Sequence, residues 1–120
     1  MIDPRLYPVP QPFGESVSLS DTATVKLTRG VTEILFTADA AKTVTLAGNV
    51  LPGMLVTLRR THAGTTHDVK LALPTGYTFD GTNTVATPAK GVNKYITAIC
   101  INEKRFAIIA TEGTMTLGTS

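Results

Sequence analysis

Tyr95-Ile96-Thr97-Ala98-Ile99-Cys100-Ile101-Asn102-Glu103-Lys104-Arg105-Phe106-Ala107-Ile108-Ile109-Ala110 carries the clearest fold signal in the chain. Two apolar runs, rich in β-branched residues, flank a polar break at Asn102-Glu103, the pattern of a tight hairpin. In the first run Tyr95, Ile99 and Ile101 alternate with Ile96, Ala98 and Cys100. In the second, Phe106, Ile108 and Ala110 alternate with Ala107 and Ile109. Both faces of the hairpin are apolar, so the second face must meet another sheet, the N-terminal segment or another subunit.

The same period of two recurs upstream. Val25 and Leu27 alternate with Lys26 and Thr28, and Val44 and Leu46 with Thr43 and Thr45. Met54, Val56 and Leu58 alternate with Leu55, Thr57 and Arg59, and Val69, Leu71 and Leu73 with Lys70 and Ala72. These are half-buried strands. Threonine makes up about one residue in six, which supplies β propensity to outer sheet faces without adding charge. Turn signals such as Leu51-Pro52-Gly53, Pro74-Thr75-Gly76, Asp80-Gly81 and Glu112-Gly113 punctuate the strands at the spacing of a sandwich or barrel. Only 38–42 has the composition of a brief helical turn. The pattern predicts an all-β chain: a single antiparallel β-sandwich or jelly-roll-like β-barrel over residues 16–120, preceded by an extended proline-rich arm over residues 1–15.

The arm is set apart by Pro4, Pro8, Pro10 and Pro12, which fix φ, remove backbone donors and exclude a helix or central strand. It also carries Ile2, Leu6, Tyr7, Val9 and Phe13, a heavier apolar load than a solvated linker. It reads as a docking arm, with a tail packed on its own domain as the alternative. A chain of 120 residues has no room for a second domain and builds a modest core, so self-association is a natural way to bury more surface.

The chemistry-bearing residues are sparse. The net charge of +2 is spread without a basic run, and the doublets Arg59-Arg60 and Lys104-Arg105 read as sheet-edge and hairpin charge. No nucleic-acid partner is implied. No apolar stretch is long enough for a membrane span, and Met1 leads into Asp3 and prolines without a secretory pattern, so synthesis in a cytoplasm is expected. Cys100, the single cysteine, lies between isoleucines and reads as a small core hydrophobe. His62, His67 and Asp68 could converge across a loop as metal ligands, but the spacing matches no tight zinc motif, and no metal or other cofactor is assigned. The serines lie near the chain ends without a nucleophile elbow, so no catalytic residue is assigned and the chain is read as a non-enzyme.

Gly30-Val31-Thr32-Glu33-Ile34, Lys42-Thr43-Val44-Thr45-Leu46, Leu51-Pro52-Gly53-Met54-Leu55-Val56-Thr57-Leu58 and Pro74-Thr75-Gly76-Tyr77-Thr78-Phe79-Asp80-Gly81 follow one another before the hairpin. In texture and turn order this succession resembles the compact β domains of tailed-bacteriophage capsid decoration (cement) and head-fibre proteins. The resemblance covers about Val31 to Thr111 and rests on no diagnostic motif. It implies a non-enzymatic homotrimer on the outer surface of the virion capsid, with the major capsid protein as partner and the shell stabilised by it. Leu6, Tyr7, Val9 and Phe13 would then bind the capsid or a neighbouring subunit, and Ile96, Ile99, Ile108 and Ile109 would form the trimer interface. A trimeric tail-fibre or host-adsorption module, with Tyr77 and Phe79 as its loop aromatics, is the alternative; a small β enzyme using His62, His67 and Asp68 is a third reading.

Overall fold

The computed structural model describes residues 14–119, and among them every regular element is a strand. In chain order these are β1 (Gly14–Leu19), β2 (Ala23–Lys26), β3 (Val31–Phe36), β4 (Lys42–Ala47), β5 (Leu55–Arg60), β6 (Val69–Ala72), β7 (Val85–Thr87), β8 (Tyr95–Asn102), β9 (Arg105–Glu112) and β10 (Thr116–Gly118). They form two five-stranded sheets, ordered β1-β3-β5-β8-β9 and β10-β7-β6-β4-β2. β1 begins at Gly14, so Gly14 and Glu15 belong to the domain and not to the arm.

Alternation dictates which side chains face inward. On the first sheet Ile34, Phe36, Val56, Leu58, Ile96, Ala98, Cys100 and Phe106 are buried; on the second, Val25, Val44, Leu46, Val69, Leu71 and Ala86 meet them in one continuous core. The register aligns these residues in rows across the strands: Ile34 lies opposite Leu58 and Leu58 opposite Ile96. Val44, Leu71, Ala86 and Leu117 form the matching row of the other sheet. The sandwich expected from the sequence is what forms, and among the described residues neither sheet closes into a barrel.

The expected antiparallel pairing needs correcting, because both sheets are mixed. From β1 to β6 the chain passes to the opposite sheet after every strand, so each return lands parallel to the strand left two elements earlier. β1 pairs parallel with β3, β3 with β5, β2 with β4 and β4 with β6. A parallel neighbour requires a long crossover, and here the crossover is a strand of the other sheet. Antiparallel pairing is confined to β5-β8, β8-β9, β6-β7 and β7-β10.

The turns follow their residues. Met54 N–H donates to Leu51 O at 3.1 Å across Pro52-Gly53, and Tyr77 N–H to Pro74 O at 3.0 Å across Thr75-Gly76. Gly53 and Gly76 supply φ of 95° and 90°, which a type II turn demands of its third residue. The β8–β9 hairpin turns at Glu103-Lys104, one residue beyond the expected break, with Lys104 at φ 62°. Residues 38–42 form no helical turn.

Because Leu58 and Leu71 sit in facing rows of the core with no exposure, either Leu→Ala change should cost about 2–5 kcal/mol. Leu51→Ala, at an exposed turn, should stay within about 0.5 kcal/mol. Urea unfolding midpoints check both; equal losses at Leu51 and Leu58 would contradict the layer assignment.

Candidate interaction face and the charged closure

The outer face of the first sheet carries three parallel rows, one residue from each strand. Gly14, Val31, Leu55, Ile99 and Ala107 form an apolar row. Next come Ser16, Glu33, Thr57, Thr97 and Ala110, with the Thr57 and Thr97 hydroxyls hydrogen-bonded at 2.9 Å. The third row holds Ser18, Leu35, Arg59, Tyr95 and Glu112. Arg59 Nε donates to Glu33 at 3.3 Å and its guanidinium lies 5.1 Å from the Tyr95 ring centroid. Polarity thus rises from one end of the face to the other.

The apolar row is extended by residues outside the regular alternation. Ile101 is 50% exposed at a register shift near the end of β8. Leu51, 62% exposed, stands beside the same sheet end, where Gly53 N–H donates to Cys100 O at 2.7 Å and Cys100 N–H to Met54 O at 2.9 Å. Val31 is 43% exposed.

The four residues expected at an oligomer interface separate into different environments. Ile96 is fully buried in the chain's own core, and Ile108 packs against that core from a half-buried position. Ile99 lies half-buried in the outer apolar row. Ile109 is 53% exposed, because a register shift leaves it without a partner between the Ala98–Ile108 and Thr97–Ala110 pairs. Leu6, Tyr7, Val9 and Phe13 lie outside the described residues.

Arg60 is the residue that sequence reading misplaced. β5 is a central strand, so Arg59-Arg60 is not edge charge: Arg59 points outward and Arg60 inward, wholly buried opposite Phe36. Its parity was readable, since Met54, Val56, Leu58 and Arg60 share one face. Arg60 Nη2 donates to Asp39 Oδ1 at 3.3 Å, while Nε and Nη1 meet no acceptor among the described residues. The same carboxylate accepts the His67 N–H at 3.0 Å and the Thr66 N–H at 3.2 Å. A Cβ at Gly64 would overlap the Asp39 carboxylate, so glycine is required there by close approach. Asp39 therefore ties the 61–68 loop to the end of the core, and its carboxyl lies below the ordinary aspartate pKa, chiefly because the His67 N–H bonds the charged form.

The remaining polar candidates have structural partners. His62 Nδ1 accepts the Gly64 N–H at 2.8 Å, His67 contributes its backbone to Asp39, and Asp68 lies 3.8 Å from Lys90 Nζ. Among the described residues no group of three or more His, Cys, Asp or Glu is placed to hold a metal ion. Asp80 accepts the Asn83 and Thr82 N–H groups at 2.7 and 3.0 Å, which holds its turn and lowers its pKa. Cys100 is buried as expected, and burial pushes its thiol pKa up, away from a reactive thiolate. Tyr77 and Phe79 do not form an exposed aromatic platform. Phe79 is buried, and Tyr77 donates its hydroxyl to Val50 O at 2.9 Å while meeting Phe106 edge-on at 5.6 Å. Among the described residues no helix is long and apolar enough to cross a membrane.

No family model matches the chain, and no curated protein matches its sequence.

The depressed pKa values of Asp39 and Asp80 set the direction of acid sensitivity. Each contributes stability that is complete above the ordinary value of 3.8 and is lost as pH falls below it through the lower folded value. Asp39→Asn should be less stable than wild type at neutral pH and show a shallower loss of stability below pH 4, measured by denaturant unfolding at stepped pH. An unchanged acid slope would remove Asp39 from this role.

Proposed function

We propose that this chain is a virion structural protein, a non-enzymatic capsid decoration protein that self-associates as a homotrimer and binds the outer surface of a tailed-phage shell through the major capsid protein. The observation that carries the reading is the apolar row of the first sheet, with Val31, Leu51 and Ile101 left substantially exposed at one end of an otherwise well-buried sandwich. Apolar surface gathered in one place on a small domain marks an interaction site. Ile109, exposed at the β9 irregularity, adds a second apolar contact point on the same hairpin.

The polar residues support the same direction, because the histidine, aspartates and cysteine that could carry chemistry already serve the fold. Asp39 and Asp80 hold loops, His62 caps its own turn, and Cys100 is a core residue. The host-adsorption alternative loses its loop aromatics, since Tyr77 and Phe79 pack inward. A brace on a shell needs contact area repeated over many copies, and a trimer engaging three equivalent surfaces multiplies weak contacts by linkage.

The purified full-length protein should have three times the 12.7 kDa chain mass by native mass spectrometry. It should also co-sediment with undecorated empty shells of its own phage and raise the temperature at which they disrupt. A monomer that leaves shells unbound would overturn the reading; binding instead to tail fibres or host envelope material would move the protein to adsorption.

A further inference from the structure

Two cavities open side by side on the second sheet, and Asp68 and Lys70 line both. The smaller, about 370 Å³, is built where β4 and β6 begin. Thr43 lies directly opposite Lys70 in the parallel register, and both alternate with the core residues Val44, Val69 and Leu71, so their side chains face outward. Lys42 stands beside them, and Thr66 and His67 complete the lining from the loop that leads into β6. The larger, about 490 Å³, continues to β7 and β10, where Thr87 and Thr116 are register partners.

The charges of the smaller cavity do not cancel. Lys42 is bonded to Asp21 at 2.8 Å, and Asp68, the one acid of the lining, lies 3.8 Å from Lys90 in the larger cavity. Lys70 is half-buried and has no carboxylate partner among the described residues. An ammonium carries three donors, so Lys42 has donors beyond the one used on Asp21. The rim is also fixed from inside the core. Asp39 accepts the Thr66 and His67 N–H groups while pairing with the buried Arg60 at 3.3 Å, so the ion pair that closes the sandwich also places residues 66 and 67 at the cavity. A lining set in advance loses less freedom when a ligand binds.

This lining selects among ligands. None of the large apolar residues left exposed among the described residues is in it, so it lacks the anchor pocket of a protein contact. It has no aromatic residue on which a base could stack. A phosphate monoester presents three acceptor oxygens and close to two negative charges, which suits an unpaired ammonium, a second ammonium with donors to spare and threonine hydroxyls. We propose that the smaller cavity binds the phosphate of a small phosphate monoester, with Lys70 as its principal contact and the organic part in the larger cavity. The inference is independent of the shell and of the oligomeric state.

Titration calorimetry on the full-length protein tests it with glucose 6-phosphate, inorganic phosphate and glucose. Sedimentation with phosphatidylcholine vesicles, with and without phosphatidic acid, runs alongside. Glucose 6-phosphate should bind saturably and more tightly than either inorganic phosphate or glucose. Lys70→Gln should weaken it about ten-fold or more, through loss of a charge-assisted hydrogen bond. Lys104→Gln removes the same charge outside both cavities and should stay within about two-fold, because a distant charge is screened. Thr43→Val replaces Lys70→Gln should the latter fail to melt like wild type, and should also weaken the ester. Capture by phosphatidic acid vesicles without glucose 6-phosphate binding would keep the oxyanion pocket and overturn its soluble source in favour of a lipid headgroup. Four results would overturn the proposal outright: no binding of any phosphate probe, glucose or inorganic phosphate binding as tightly as the ester, Lys70→Gln at wild-type affinity, and equal losses in the two lysine variants.

Discussion

One constraint shapes this domain: from β1 to β6 the chain changes sheet after every strand, so the inward residues of each sheet find their core only against the other sheet. A chain that changes sheet after each strand cannot complete either sheet alone, so Val44 and Leu46 have no core until Ile34, Phe36, Val56 and Leu58 face them. The parallel pairings are a consequence of this winding and have no helical crossovers to cover their outer faces. That explains why threonine is so frequent. The outer faces need β-branched residues that tolerate water, and Thr24, Thr43, Thr45, Thr57 and Thr97 provide them in alternation with the core.

The winding leaves an open end that hydrophobic residues alone do not close. Opposite Phe36 the first sheet places an arginine, and burying a guanidinium is costly unless it is paired. Asp39 provides the pair, and the carboxylate that serves Arg60 also receives two backbone donors from residues 66 and 67. One ion pair thus fixes both the end of β5 and the loop that carries the chain across to β6. Had this position been apolar, packing would be simpler, but the Asp39 carboxylate that holds residues 66 and 67 would lose its buried cation. Specifying the loop's path is the benefit set against the burial of charge.

Strand positions were legible because alternation survives any pairing arrangement: Val25, Val44, Val56, Leu58, Val69 and Leu71 all face the core as their parity requires. Strand direction was not legible, since a parallel and an antiparallel neighbour bury the same residues. Nor could the doubled apolar faces of β8 and β9 be sorted from composition. Ile96 faces inward with Ala98 and Cys100 while Ile99 faces outward, and the irregularity at Ile109 is a register effect that a single strand does not announce. Asp39 was hidden for a different reason. Its three partners lie 21 to 28 residues away, so the network exists only in the folded chain.

The outermost strands among the described residues are treated unequally, and this bears on how copies could meet. β9 is interrupted at Ile109, and β10 is only three residues long; both features discourage strand addition. β1 and β2, by contrast, are uninterrupted and protected mainly by polar side chains such as Glu15, Ser16, Ser18 and Lys26. Polar edges resist unregulated pairing while the apolar residues of the adjoining outer face stay exposed. Contact through the face also preserves the sandwich itself, since Val31, Leu51 and Ile101 can be covered without moving any residue of the core.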